Sequence, residues 1–208
     1  PRRDRAGVRE LKAPAQLPAQ GLPILTPHQQ PNIVHLAWDH GIPVYEVADF
    51  SVLDFAPDII AVACFDRLIP REMRDRARLA VNVHPSLLPD NRGPAPLFWT
   101  FRLAQPVTGV TIHLLAAKAD CGAILAQREV PVPAGVDGAE LDQQLATLGG
   151  ELLVQVIHDF EKGHLRPVPQ EEALATSHPW PSQADWNIPP DWPLQRVRNF
   201  TRGVAHMR

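Results

Sequence analysis

The chain has 208 residues, enough for one sizeable hydrophobic core with a small appendage. Its hydrophobic content of 45% and charged content of 21% are ordinary for a globular protein. A net charge of −3 argues against bulk electrostatic attraction to nucleic acid, and two cysteines exclude a disulfide framework and a four-cysteine metal site. No apolar run approaches the roughly 20 residues of a membrane span and the N-terminus has no signal-peptide core, so we expect a cytoplasmic location and no membrane partner.

The first part of the chain alternates short helical and strand patterns. Residues 32–40 predict a helix that ends at Gly41, and residues 42–47 predict a strand. The apolar run at 58–65 is typical of a fully buried parallel strand. Residues 71–78 predict a charged helix that leads into the next strand.

The second part continues this alternation. Residues 96–103 predict a helix, residues 107–115 a strand, and residues 124–132 its continuation or partner. Residues 138–162 have apolar side chains near helical spacing and predict a long helix that packs on the sheet. Strands that alternate with helices indicate a doubly wound α/β fold, with a Rossmann-like, open, mostly parallel sheet and flanking helices.

The composition changes after Gly163. Residues 1–163 are predicted to form one domain, and residues 164–208 are predicted to form a Pro- and Trp-rich extension packed on it. Tryptophans would anchor this extension, and residues 194–202 predict a short helix that closes it.

The strand at residues 79–84 carries two polar side chains of types that often take part in catalysis. Side chains in a strand alternate between faces, so Asn82 and His84 point the same way. Pro85 ends the strand at once, so both residues lie at its carboxyl end. Open α/β sheets place their ligand crevices at this edge, which predicts chemistry here.

Residues 82–89 read Asn-Val-His-Pro-Ser-Leu-Leu-Pro, and they are followed by Gly93, by Gly-Val-Thr-Ile-His at 109–113 and by Asp-Cys-Gly at 120–122. This pattern resembles the folate-dependent formyltransferases, which include methionyl-tRNA, glycinamide ribonucleotide and sugar-amine formyltransferases. The resemblance covers about residues 58–151. It implies transfer of a formyl group from 10-formyltetrahydrofolate to an amine through a tetrahedral intermediate.

The resemblance also implies catalytic roles. Asn82 would donate a hydrogen bond to the developing oxyanion, and His84 would donate there and assist protonation of the departing N10 nitrogen. Asp120 would orient and charge-stabilise His84 and take up the amine proton. Taken singly, each residue has a structural alternative as a turn former or surface group, but their joint spacing favours catalysis.

Two binding regions follow from the same resemblance. The folate-binding surface would be made by Phe65, Leu68, Ile69, Pro70, Ala116 and Ala119. The loop that frames the amine substrate would be made by Ser86, Leu87, Leu88, Pro89, Arg92 and Gly93. Arg92 is a candidate contact for a phosphate or carboxylate. The alternatives are core packing for Leu68 and a solvated turn at residues 89–93.

Other polar residues are interpreted structurally. His113 is predicted to be a hydrogen-bonded core histidine, and Cys121 is disfavoured as a nucleophile because formyl transfer needs no covalent intermediate. The nine histidines lack zinc-ligand spacing, so no metal is predicted. The basic run of Arg2, Arg3, Arg5, Arg9 and Lys12 is interpreted as solvated, with phosphate contact as the alternative.

The start of the chain departs from the family pattern. Members open with a strand–helix–strand unit whose first turn often reads Gly-Thr-Pro, and nothing before Ile33 resembles it. The fold is therefore predicted to lack this unit. A tRNA enzyme of this family has a second domain, which the sequence does not show after residue 208.

Two other functions stay open. One is a formyltetrahydrofolate hydrolase, although that subfamily usually shows His-His-Ser where this chain has His84, Pro85 and Ser86. The other is a non-catalytic, folate-binding remnant. For a transferase, methionyl-tRNA and a small or nucleotide-linked amine are about equally expected as acceptors.

Overall fold

The computed structural model describes residues 8–11, 33–42, 44–47, 57–65 and 67–207. The chain separates into two compact units, Pro1–Ala56 and Pro57–Arg208. In the first unit, β1 (Val8–Leu11) pairs antiparallel with β2 (Val44–Val47). Helix α1 (Ile33–Asp39) confirms the predicted helix within a residue at each end. Of the basic run, Arg9 lies in β1, and the other four members lie outside the described residues.

The second unit is built on a four-stranded sheet. Its strands are β3 (Ile59–Ala63), β4 (Leu79–His84), β5 (Val107–Leu114) and β6 (Ile124–Pro131), and they lie in that order. Only β3 and β4 are parallel, whereas β4–β5 and β5–β6 are antiparallel. The prediction of a mostly parallel sheet is therefore wrong for the described strands, and the sheet is mixed. Residues 115–123 between β5 and β6 are too few for the crossover that a parallel pair requires.

Helices flank this sheet. They are α2 (Arg71–Arg74), α3 (Pro96–Arg102), α4 (Gly138–Glu161) and α5 (Leu194–Gly203), with short 3₁₀ turns at Glu172–Leu174, Gln183–Trp186 and Ala205–Met207. Asp137 caps the N-terminus of α4, and its side chain accepts hydrogen bonds from the backbone N–H groups of Ala139 and Glu140. No helix in the described ranges is long and apolar enough to cross a membrane.

One core holds the unit together. It is formed by apolar side chains of the sheet and of α3, α4 and α5, including Val81, Phe98, Val110, Ile112, Leu141, Leu145, Val156 and Phe200. Strand β3 contributes less than predicted, because its residues are half-buried or exposed rather than fully buried. The reason is its position at the edge of the described sheet.

Residues 164–207 follow α4 and lie in the same compact unit as the sheet. Val168 forms an antiparallel bridge with Ile124, and Ser177 forms a parallel bridge with Arg92. Further along, the Trp186 ring lies 4.9 Å from the Phe98 ring, centroid to centroid. A domain boundary at residue 163 stays a prediction, since the contacts divide the chain after residue 56.

Candidate active site

His84 lies at the carboxyl end of β4 and is almost fully buried. Its Nε2 atom lies 2.9 Å from the backbone oxygen of Asn91. A carbonyl oxygen can only accept, so Nε2 carries the proton and donates it to this bond. In the neutral ring the lone pair is therefore on Nδ1, which lies 3.6 Å from Oδ1 of Asp120. The fold thus fixes one tautomer and directs its basic nitrogen toward a carboxylate.

Asp120 lies in the turn after β5 and is the meeting point of the site. Its Oδ2 atom accepts a hydrogen bond of 2.9 Å from the backbone N–H of Gly93. Its Oδ1 atom lies 3.6 Å from both Nδ1 of His84 and Nε2 of His113. The side chain is 11% exposed, so these interactions act in a poorly hydrated environment.

His113 belongs to this cluster through its strand pairing. In the antiparallel register of β4 and β5 it lies directly opposite Asn82. Its Nδ1 atom donates to the backbone oxygen of Leu114 at 2.9 Å, which leaves Nε2 of the neutral ring as an acceptor. The Nδ2 atom of Asn82 lies 3.2 Å from this Nε2. His113 thereby orients the Asn82 amide, whose second N–H is the donor that a substrate oxygen could use.

The prediction of a core histidine at position 113 describes its burial but misses this connection. The sequence contained a signal for this contact, because Asn82 and His113 are polar residues near the carboxyl ends of two strands that follow each other along the chain. The predicted parallel sheet gave no reason to place the two opposite each other. The antiparallel register does so directly.

Burial and charge set the protonation of the site. Burial lowers the pKa of His84 below its ordinary value, and the nearby Asp120 opposes this effect without reversing it. For Asp120, burial acts to raise the pKa, but His113 and His84 in their protonated forms and the Gly93 N–H together hold the pKa of the carboxyl below its ordinary value. The resting site at neutral pH therefore pairs a neutral His84 with an ionised Asp120.

The predicted substrate loop, residues 86–93, is fixed by hydrogen bonds within itself and to β5. Ser86 Oγ donates to the backbone oxygen of Asp90, and Thr111 Oγ1 donates to the backbone oxygen of Ser86. Leu88 is buried, and its N–H donates to the same Thr111 oxygen. Leu87 and Pro89 are half-buried. Much of the loop therefore packs inward and would meet a substrate with its backbone and its less buried side chains.

Gly93 ends this loop at a close approach of two chain segments. Its φ of 118° lies in a region that L side chains rarely adopt, and an added Cβ atom would lie 2.0 Å from the backbone oxygen of His178. Only glycine fits here. The glycine lets its N–H reach the Asp120 carboxylate.

Arg92 has partners within the chain. Its guanidinium is 4% exposed and donates to both carboxylate oxygens of Glu172, at 3.0 and 2.8 Å. It also donates twice to Oε1 of Gln170. The Arg92 pairing holds the pKa of the Glu172 carboxyl below its ordinary value. The carboxylate that Arg92 contacts is therefore Glu172 of the chain itself. The guanidinium exposes little surface to a substrate, and a substrate contact stays a prediction.

The predicted folate-binding residues lie outside this buried cluster. Phe65 is 42% exposed and Leu68 is 63% exposed, and both follow the carboxyl end of β3, which is parallel to β4. Ile69 and Ala116 are half-buried, whereas Pro70 and Ala119 are exposed. Exposed apolar side chains at this sheet edge suit a planar ligand, and their assignment to folate stays a prediction.

The described residues contain no group of three or more histidine, cysteine, aspartate or glutamate side chains arranged to hold a metal ion. Cys121 is half-buried beside Asp120.

Comparisons with known proteins define the family. A family model described as formyl transferase matches residues 44–157, more than half of the chain. The methionyl-tRNA formyltransferase of Synechococcus sp. (strain JA-3-3Ab) is 37% identical over 181 residues, which are 82% of this chain and 56% of that protein. The chain thus spans about half the length of the curated relatives it matches.

Solved structures share the fold. The N-formyltransferase from Helicobacter canadensis, in complex with folinic acid and dTDP-3-aminofucose, matches with a TM-score of 0.70 at 19% identity over 82% of this chain and 63% of that one. The formyltransferase PseJ from Anoxybacillus kamchatkensis, in complex with UDP-4,6-dideoxy-4-formamido-L-AltNAc and tetrahydrofolate, matches with a TM-score of 0.55 at 26% identity over 65% of this chain and 70% of that one. By the family match and the identity to its curated relatives, the chain belongs to the formyl transferase family.

Proposed function

We propose that this chain carries the site at which a formyl group passes from 10-formyltetrahydrofolate to an amine. The observation that carries the proposal is the arrangement of Asn82, His84 and Asp120, which the family pattern names. His84 and His113 both lie 3.6 Å from the Asp120 carboxylate, and Asn82 joins this cluster through its contact with His113. The folate is a substrate here, because it delivers the formyl group and leaves without it.

Asn82 supplies the hydrogen-bond donor for the reacting oxygen. Attack of the amine nitrogen on the formyl carbon forms a C–N bond and places negative charge on the formyl oxygen. An amide N–H that is already oriented stabilises this charge without reorganisation. His113 holds the Asn82 amide in the donating orientation through the 3.2 Å contact.

His84 moves the proton. Its Nδ1 lone pair accepts the proton that the attacking amine loses, and the imidazolium formed is stabilised by Asp120 at 3.6 Å. When the bond between the formyl carbon and N10 breaks, the same Nδ1 returns the proton to N10. A lowered pKa suits this role, since His84 is then neutral before the reaction and gives up the proton readily afterwards.

The folate fits the apolar surface at Phe65 and Leu68. Both side chains are large and exposed next to the edge of the sheet where the buried cluster lies. Tetrahydrofolate is present in the solved structure of PseJ and in that of HypX from Aquifex aeolicus. These residues would bind the ring system while Asn82 and His84 face the formyl group.

Methionyl-tRNA is the acceptor we favour. The relatives with 34–38% identity are methionyl-tRNA formyltransferases, whereas the structures solved in complex with nucleotide-linked amino or formamido sugars are 19–26% identical. A nucleotide-linked amino sugar is the second candidate, because those structures share the fold over 65–82% of this chain.

An acceptor screen tests the proposal. The chain is incubated with 10-formyltetrahydrofolate and, separately, with methionyl-tRNA, a nucleotide-linked amino sugar and glycinamide ribonucleotide, and formylated products are measured by mass spectrometry. We expect a formylated amine, with methionyl-tRNA turned over fastest. Release of formate without an acceptor would instead show a hydrolase, and tight folate binding without any product would show a binding domain.

A further inference from the structure

The Gln170 side chain connects two parts of the site that are distant in sequence. Its Oε1 atom accepts hydrogen bonds from Nε and Nη2 of Arg92, at 3.1 and 2.7 Å. Its Nε2 atom donates to the backbone oxygens of Asp120 and Gly122, at 2.8 and 2.7 Å. One amide therefore joins the substrate loop to the turn that presents the Asp120 carboxylate.

The orientation of this amide follows from its partners. The Arg92 guanidinium has donors and no acceptor, and the two backbone carbonyls can only accept. The amide oxygen must therefore face Arg92, and the NH2 group must face the turn. A reversed amide would lose all four hydrogen bonds, so the connection has one arrangement.

The turn requires external support. Asp120 has a φ of 54°, in the left-handed region that is unfavourable for residues other than glycine. Gly122 lies against β5 so closely that a Cβ atom there would be 1.7 Å from the backbone oxygen of Leu114. The Gln170 NH2 group satisfies two carbonyls of this strained turn and favours the conformation that places the carboxylate beside Gly93 and His84.

Arg92 is held in turn from its other side. Glu172 accepts from its Nη1 and Nη2 atoms, and Thr176 accepts from its backbone N–H at 3.0 Å. The buried guanidinium is thus a fixed platform for the Gln170 oxygen. Glu172 is largely exposed and binds Arg92, whereas the contacts to the turn come from Gln170.

We infer that Gln170 is a positioning residue for formyl transfer, which holds the Asp120 carboxylate at its place between His84 and the Gly93 N–H. The inference rests on the proposed function for the chemical role of Asp120. It assigns a task to residues 168–178, which follow the long helix and carry none of the reacting groups.

Two variants test this inference. Gln170→Met keeps the length of the side chain and removes all four hydrogen bonds, and Glu171→Gln is the control at the exposed neighbouring position, whose side chain takes part in none of them. Amide hydrogen exchange is followed by NMR at two neighbouring N–H groups. The Gly93 N–H is bound to the Asp120 carboxylate, and the Arg92 N–H is bound to the Thr176 backbone.

In Gln170→Met we expect the Gly93 amide to exchange about tenfold faster, with the Arg92 amide unchanged, because the carboxylate has moved while the loop remains in place. In Glu171→Gln we expect both amides to keep their wild-type rates. Equal loss of protection at Gly93 and Arg92 in Gln170→Met would show general loosening of the loop and overturn the inference. Unchanged exchange at Gly93 would overturn it as well.

Kinetics add a second readout. We expect Gln170→Met to lower kcat about tenfold or more with the KM for the acceptor within twofold, since a misplaced carboxylate affects the reaction more than substrate binding. A kcat equal to that of Glu171→Gln would overturn the inference. If the wild-type chain transfers no formyl group, the proposed function fails, and the exchange comparison still decides whether Gln170 positions Asp120.

Discussion

Two segments of the chain meet around Asp120 at the candidate active site, and they contribute to it in different ways. Residues 82–93 provide reacting side chains, Asn82 and His84, and the backbone groups that hold His84 and Asp120. Residues 168–178 form hydrogen bonds through Gln170, Glu172 and Thr176 that fix the first segment, and Gln170 also holds the Asp120 turn. Reacting side chains therefore come from the first segment, whereas the second segment contributes support alone. Changes in the first segment should remove activity, and changes in the second should alter stability or alignment.

The largest expected effect is on turnover. Asn82→Ala, His84→Ala and Asp120→Ala should each reduce formyl transfer about 10²–10³-fold, because Asn82 and His84 act on the reacting atoms and Asp120 stabilises the His84 imidazolium. Initial rates with 10-formyltetrahydrofolate measure this, with circular dichroism to check the fold. His158→Ala, on the exposed side of α4, is the control for loss of a histidine and should keep the wild-type rate. Near-normal turnover in any of the three variants would remove that residue from the mechanism.

His113 tests whether a residue can act through Asn82. His113→Phe preserves a buried ring but removes the Nε2 acceptor, so the Asn82 amide loses its fixed orientation and kcat should fall about tenfold or more. If His113 acts through Asn82, the losses in His113→Phe and Asn82→Ala should not add in the double variant. Additive losses would show that His113 has an independent role.

Gly93 tests the fit between the two segments. Gly93→Ala should lower the free energy of unfolding by about 1–3 kcal/mol, because the added methyl group meets the His178 carbonyl in a strained backbone conformation. Urea denaturation measures the change. Gly150→Ala is the control, since its Cβ would point into open space within helix α4, and it should be neutral or slightly stabilising. Equal stability of the two variants would mean that the approach of the segments is not tight.

The smallest expected effect is in the pH dependence of stability. The pKa of His84 is lower in the folded chain than its ordinary value of 6.5, so below that pH the unfolded chain binds more protons and stability decreases as the pH falls. The lowered pKa of Asp120 acts in the same direction at more acidic pH. Urea denaturation from pH 8 to pH 5 should show this loss, and His84→Gln should flatten it. A stability that rises on acidification would contradict the direction assigned to His84.

The sequence predicts the placement of Asn82 and His84 well and the contacts that support them poorly. Strand alternation places Asn82 and His84 on one face, and β4 has the bounds that Pro85 implies. Mixed strand direction could not be read from apolar runs, because parallel and antiparallel strands can share that pattern. His113 was therefore seen as a core residue rather than as the partner of Asn82.

The support from residues 168–178 is harder to predict for a physical reason. Gln170 and Thr176 act through hydrogen bonds to backbone atoms or to side chains far away in sequence, as with Gln170 and Asp120, which are 50 positions apart. Such contacts leave no periodic pattern and need no particular neighbours in the chain. Arg92 was recognisable as an anion contact, but its partner Glu172 emerged only from the fold.

We propose above that the cluster of Asn82, His84 and Asp120 transfers a formyl group to an amine. The most direct measurement follows a ¹³C label from the formyl group of 10-formyltetrahydrofolate by NMR, in the presence of methionyl-tRNA and then of a nucleotide-linked amino sugar. We expect the label to appear in an N-formyl amide product, and we expect His84→Ala to slow this transfer about 10²–10³-fold while folate still binds. Label that appears as formate whether or not an amine is present, or that stays on a tightly bound folate, would contradict formyl transfer to an amine.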